Sequence, residues 1–273
     1  QFSSFGSRVT GYPGFWKAQE YIKEKFEEYG LEDVGLQTFN VTVPIDHGAK
    51  IVILDQTGGE KEVIKAYAFW PNSVQTSLAE QLTGTLVYCG KGYWKDFDGK
   101  DVEGNIVLLD ADCGDRWLNA AMFGAKAVIM VGPFDRWEAE KKYIGVPLYF
   151  PRIYIPDPDG SKLRQLAREK QLTVKISSNM RFEKITAANV YGWVRGTDPV
   201  LKEQTIVLGA HYDSRSVVPA LSPGADEACG IASLLELAKF FSQHPPARSL
   251  LFVAFAGHNQ GLEGSRQFVE DVY

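Results

Sequence analysis

Three short stretches carry side chains suited to metal or hydrolytic chemistry: HYDS at 211–214, PGADEACG at 223–230 and AGHNQGLEGS at 256–265. His211 and Asp213 stand two apart on chain that reads as extended, so both side chains share one face. A carboxylate placed there can fix the tautomer and orientation of a metal-binding imidazole. Asp226 and Glu227 precede a helical pattern, where exposed N–H groups favour negative charge. Capping alone would also account for an aspartate at that position. His258 and Asn259 follow an apolar run that ends in a glycine turn. An imidazole can exchange a proton near neutral pH. An amide oxygen is a weak donor to zinc, which prefers thiolate, imidazole or carboxylate. HExxH, GxSxG, phosphate-loop and dinucleotide signatures are absent from the sequence.

The elements around these stretches must bring them together. NVYGWVRG and TIVLGAHYD read as strands, the second apolar throughout as a buried central strand is. GADEACGIASLLELAKFFSQH reads as a helix, with Ile231, Leu234, Leu235, Leu237, Ala238 and Phe241 on its apolar face. RSLLFVAFAG is a further buried strand, and LEGSRQFVEDVY opens another helix. Strand, helix, strand with polar residues at strand ends describes an open α/β sheet, whose ligands collect at the carboxyl ends of strands. Near the start, a helix follows Pro13-Gly14 and stops at Gly30, and LQTFNVTVPI alternates as a half-buried strand does.

Between about 50 and 185 the texture is mainly β: short apolar runs separated by Gly, Asp and Pro turns. NIVLLDAD and AVIMVG flank a short helix, WLNAAMFGAK, which implies a local parallel crossover. The expected division is 1–45, 46–185 and 186–273. With 45% hydrophobic and 23% charged residues the chain is of ordinary globular composition. A net charge of -5, with no basic stretch interleaved with aromatics, argues against a nucleic-acid partner. No apolar run approaches the roughly 18–20 residues of a membrane span. Cys89, Cys113 and Cys229 form no CxxC pair, and one disulfide or three free thiols are both open. The start at Gln1 reads as a trimmed form, and Asn40-Val41-Thr42 fits a glycosylation acceptor, so a secreted or extracytoplasmic location is expected.

LGAHYDS, SPGADEACGIASLLELAK and RSLLFVAFAGHNQGLEGSRQFV, in that order, resemble the first half of a co-catalytic zinc exopeptidase domain. That family takes in zinc aminopeptidases, glutamate carboxypeptidase and the transferrin receptor ectodomain. FGSRVTGYPG is similar to the family's N-terminal segment, and VEGNIVLLDADCGDRWLNAAMFGAKAVIMVG looks like its protease-associated insert. The resemblance implies an α/β, mixed-sheet peptidase-like domain, incomplete at its C-terminal side, carrying a mainly β insert. It implies His211 and Asp226 as zinc ligands, Asp226 bridging two ions, and Asp213 as the group that orients His211. Where the family has a general-base glutamate and a ligand glutamate, this chain has His258 and Asn259. Two further ligands of the family, an aspartate and a histidine, would lie beyond Tyr273. One zinc or none is therefore expected in place of two. The implied activity is zinc-dependent aminopeptidase-like hydrolysis of peptides, inactive or impaired as the sequence stands. The alternative is a non-catalytic binding module of the transferrin receptor kind, with a protein partner reached through the insert. A one-zinc transferase of the glutaminyl cyclase kind fits less well, because the insert counts against it.

Overall fold

The computed structural model describes residues 1–143, 145 and 147–272 of the chain. Two compact units make it up. The first gathers residues 1–43, 183–216 and 221–273, and the second gathers 44–182 and 217–220.

In the first unit, helix α1 (Pro13–Glu28) buries Phe15, Ala18, Ile22 and Phe26. Proline at its first position has no N–H to leave unbonded, and Gly30 reverses the chain at φ 77°. Strand β1 (Glu32–Leu54) and strand β7 (Leu172–Val194) are 23 residues each, and each contributes to both units. The sequence pattern breaks each of them into two shorter strands. Each runs as one strand across those breaks, and the two pair with each other. Strand β8 (Thr205–His211) lies parallel to β9 (Ser249–Phe255) from Thr205↔Ser249 to His211↔Phe255. β9 pairs on its other side with β7, antiparallel, through Val190↔Ala254 to Val194↔Leu250. Helix α5 (Ala228–Gln243) connects β8 to β9 and packs on both, burying Ile231, Leu234, Leu235 and Ala238. Leu237, expected on that buried face, is 42% exposed. Helix α6 (Glu263–Val272) follows β9.

The expectation of a buried central strand at 205–213 is corrected. No residue of β8 is fully buried and Ile206 and Val207 are about half exposed, because β9 is its one strand neighbour among the described residues and α5 covers one face.

The second unit is a mixed sheet in the order β1, β2 (Glu60–Ala68), β6 (Arg152–Ile155), β5 (Ala127–Val131), β4 (Ile106–Asp110), β3 (Ala79–Tyr88), β7. β3, β4, β5 and β6 are mutually parallel, which requires crossovers. Helix α2 (Trp117–Met122) supplies the one from β4 to β5, and α3 (Arg136–Glu140) lies between β5 and β6. Alternate residues of β4 and β5 face two apolar layers. Ile106, Leu108, Ile129 and Val131 join Leu163 of α4 (Asp159–Glu169) in one. Val107, Leu109, Val128 and Met130 join Trp117 and Ala120 of α2 in the other. Cys89 and Cys113 are buried free thiols and Cys229 an exposed one. Burial pushes both buried thiols up to about 11, which makes them poor nucleophiles at neutral pH.

Candidate functional site

The three stretches meet at the carboxyl ends of β8 and β9. His211 is the last residue of β8. Its ring Nδ1 lies 3.2 Å from Asp213 Oδ1 and 3.1 Å from the Asp213 carbonyl. With Nδ1 engaged, Nε2 is the ring atom left to bind a ligand. The hydrogen bond to Asp213 raises the His211 pKa above its ordinary value, and it outweighs the burial that opposes this. A smaller contribution in the same direction comes from the nearby Glu227 carboxylate.

Asp213 is fully buried and its carboxylate is well supplied with donors. Thr10 Oγ1 donates to Oδ2 at 2.9 Å, and the His258 backbone N–H donates to the same oxygen at 3.0 Å. A buried carboxylate needs such partners to remain charged. Asp213 therefore does two jobs: it orients His211 and it fixes the start of the loop that carries His258.

The His258 ring stacks on His211, with centroids 4.1 Å apart and planes 10° from parallel. Burial lowers the His258 pKa, and a charge on His211 lowers it further. The two pKa values are therefore shifted in opposite directions, with His211 the imidazole that takes the proton first. The loop itself is made by Gly257 and Gly261 at φ 65° and 74°. A side chain on Gly264 would sit 2.1 Å from the Ala256 carbonyl, so glycine is required where α6 turns back against β9. Asn189 of β7 is buried beside this turn. It accepts from Ala256 N at 3.0 Å and donates to the Gly264 carbonyl at 2.8 Å, which pins both ends of the loop.

Asp226 is placed differently. It is exposed, in the turn before α5, and its side chain has no hydrogen-bond partner among the described residues. The capping reading fails as well, because Glu227 occupies the cap position and makes no side-chain cap bond. Asn259 is half-buried and likewise makes no hydrogen bond among the described residues.

Three residues not singled out in the sequence matter here: Arg8, Thr10 and Asn189. Arg8 is fully buried. Its Nε donates to the Tyr212 carbonyl at 3.1 Å, its Nη2 to the Gly224 carbonyl at 2.9 Å and its Nη1 to the Pro223 carbonyl. Its own backbone bonds Ser214 and Ser222. One guanidinium thus ties the chain after β8 to the loop before α5. Gly224, at φ 58°, is obligatory there, since a Cβ would lie 2.4 Å from Ser214 Cβ.

A zinc centre requires about three protein ligands of the imidazole, carboxylate or thiolate kind. Among the described residues no three His, Cys, Asp or Glu side chains are grouped so as to hold a metal ion. His211 has the outer carboxylate such a ligand needs, but the ring of His258 lies flat against it instead of converging on a shared point. The residues present fall short of a zinc site.

Comparison with known proteins fits this arrangement. Residues 189–272 match Peptidase family M28, and residues 82–163 match the PA domain. The M28 match covers 84 of the 273 residues, so over its C-terminal third the chain is similar to M28 peptidases. It is 28% identical over 276 residues to aminopeptidase YwaD of Bacillus subtilis (strain 168), covering 98% of this chain and 55% of that protein. A probable leucine aminopeptidase 2 of Aspergillus oryzae is 29% identical over 180 residues, 62% of this chain and 34% of its own length. Among solved structures, BSAP, a zinc aminopeptidase from Bacillus subtilis, superposes with a TM-score of 0.64 at 25% identity, over 99% of this chain and 62% of that one. An aminopeptidase from Aneurinibacillus sp. strain AM-1 gives 0.51 at 27% identity, over 99% of this chain and 64% of that one. The chain thus spans between about a third and two thirds of the length of these relatives. No helix among the described residues is long and apolar enough to cross a membrane.

Proposed function

We propose that the chain forms part of a zinc-dependent aminopeptidase-like hydrolase of peptides, in which the hydrolytic centre is impaired by His258 and Asn259. The observation that carries this reading is the Asp213-held imidazole of His211 at the end of β8, stacked against His258 at 4.1 Å. The support for His211 is in place. At the positions where the resemblance implies a ligand glutamate and a general-base glutamate stand Asn259, an amide that donates weakly to zinc, and His258, a ring with lowered pKa.

At neutral pH His258 is uncharged and able to accept a proton, so residual hydrolysis through it is chemically sound. Its position flat on His211 leaves little room for a water between the rings. That stacking favours a second reading: a scaffold retained to bind peptides or a protein partner without cleaving them.

One experiment separates the two. Zinc per chain is measured on protein purified without chelator, alongside hydrolysis of aminoacyl-nitroanilides, for the natural sequence and for the pair His258→Glu with Asn259→Glu. The impaired-hydrolase reading expects sub-stoichiometric zinc in the natural sequence, and a gain of both metal and activity in the double variant. Zinc uptake toward about two per chain with no activity would leave the binding-module reading standing.

A further inference from the structure

The second unit contains a cavity of about 540 Å³ where β7 parts from β3. The β3–β7 ladder runs from Leu86↔Leu172 to Ala79↔Ser178 and is irregular between Ala79 and Leu82. Glu80 and Gln81 fall out of register there, with Gln81 at φ 56°. Lys50 of β1, Glu80 and Gln81 of β3, and Ser178, Asn179 and Arg181 of β7 line the opening.

The polar groups at this cavity are under-used. Arg181 donates from Nε to Asn179 Oδ1 at 2.9 Å, which aims its side chain, while its two terminal nitrogens have no acceptor among the described residues. Lys50 makes no hydrogen bond or close ion pair among them, Glu60 acting on it only at longer range, and it stands directly opposite Lys65 in the β1–β2 ladder. Like charges in that position repel, so an anion beside Lys50 would relieve the pair. Ser178 is 4% exposed and its Oγ has no hydrogen-bond partner among the described residues. Buried polar groups normally find one.

We propose that this cavity binds the carboxylate of a peptide, taken end-on by the Arg181 fork with Lys50 as the second cation. A planar carboxylate matches the two parallel N–H groups of a guanidinium. Glu80, the acidic residue of the lining, sets the selectivity. It repels a dianion such as phosphate, and it can accept from the N–H groups that accompany a peptide carboxylate. The site lies wholly within the second unit and does not depend on the chemistry read at His211.

The test is calorimetric titration of the whole chain with four probes: an N-acetylated tripeptide with a free C-terminus, its C-terminal amide, the same amide carrying an internal glutamate, and inorganic phosphate. The free acid, the glutamate peptide or both should bind, and which of them does identifies the source of the carboxylate. The carboxylate-free amide and phosphate should bind at least about tenfold more weakly. Arg181→Ala should lower affinity about tenfold or more. Arg181→Lys, which keeps the charge and loses the fork, should fall between, and it serves as the probe should the alanine variant fold poorly. Absence of carboxylate binding up to millimolar concentration overturns the proposal. So does equal binding of the plain amide, tighter binding of phosphate, or unchanged affinity in either well-folded Arg181 variant.

Discussion

β5 and β8 read alike in sequence, AVIMV against TIVLGAH, yet one is wholly buried and the other is half open. β5 has a parallel neighbour on each edge and helices over both faces, so all five of its residues are buried. β8 has β9 on one edge and α5 over one face. An apolar run therefore records what a strand can tolerate, and its neighbours decide how much water it loses. Since burial of apolar area is the main stabilising contribution to folding, the two strands should respond very differently to the same change.

The largest expected effect is at the buried end of that comparison. Ile129 is fully buried in β5, and Ile129→Ala should destabilise the protein by about 2–5 kcal/mol through lost transfer free energy plus a cavity. Urea unfolding followed by tryptophan fluorescence measures it. A loss under about 1 kcal/mol would mean the layer repacks and the contrast with β8 is not about burial.

The same contrast separates the two aspartates. Asp213 is buried with three donors around it, whereas Asp226 is exposed with none to its side chain among the described residues. Asp213→Asn should cost about 1.5–3 kcal/mol, the range for hydrogen bonds to a buried charge, while Asp226→Asn should leave stability within about 0.5 kcal/mol. The Asp213 change should also drop the His211 pKa toward the ordinary value of about 6.5, read by NMR titration of the ring. Because the folded-state pKa of His211 is raised, its contribution to stability is fully present below about 6.5 and is lost as pH rises through the folded value. His258, with a lowered pKa, has the opposite slope: its contribution is present above about 6.5 and is lost as pH falls through its folded value. The stability–pH profiles of His211→Ala and His258→Ala should thus depart from the parent in opposite senses, and parallel departures would refute the stacked arrangement.

Thr10→Val removes one donor from Asp213 and should cost about 1 kcal/mol. It is also the cleanest check on what sequence could and could not reveal. The stop of α1 at Gly30 and the parallel β4–α2–β5 unit were legible, because turn residues and periodicity act over a few positions. His211 and Asp213 were legible as a pair because a two-residue spacing settles their shared face. Thr10, Arg8 and Asn189 were not. They approach from 203, 204 and 67 positions away respectively, counting Thr10 to Asp213, Arg8 to Tyr212 and Asn189 to Ala256, and nothing local in GSRVTG marks an arginine that will be fully buried. The two 23-residue strands were hidden for a related reason. Pro44 and Gly48 look like punctuation in β1, and the long-range pairing that overrides them leaves no mark on neighbouring residues.

The smallest expected effect closes the comparison at its open end. Ile206 carries the same side chain as Ile129 but is 46% exposed. Its alanine variant should change stability by less than about 0.5 kcal/mol, as surface positions usually do. This is the measurement most able to sharpen the contrast, because β8 keeps the composition of a buried strand. A loss for Ile206→Ala that approached the one for Ile129→Ala would require β8 to be covered in solution by further polypeptide, in a dimer or a complex. Dilution would then distinguish these from a monomer, since stability that depends on association falls with protein concentration. A small, concentration-independent change would establish that β8 stands at an open sheet edge, and that its apolar side chains are accessible to whatever binds there.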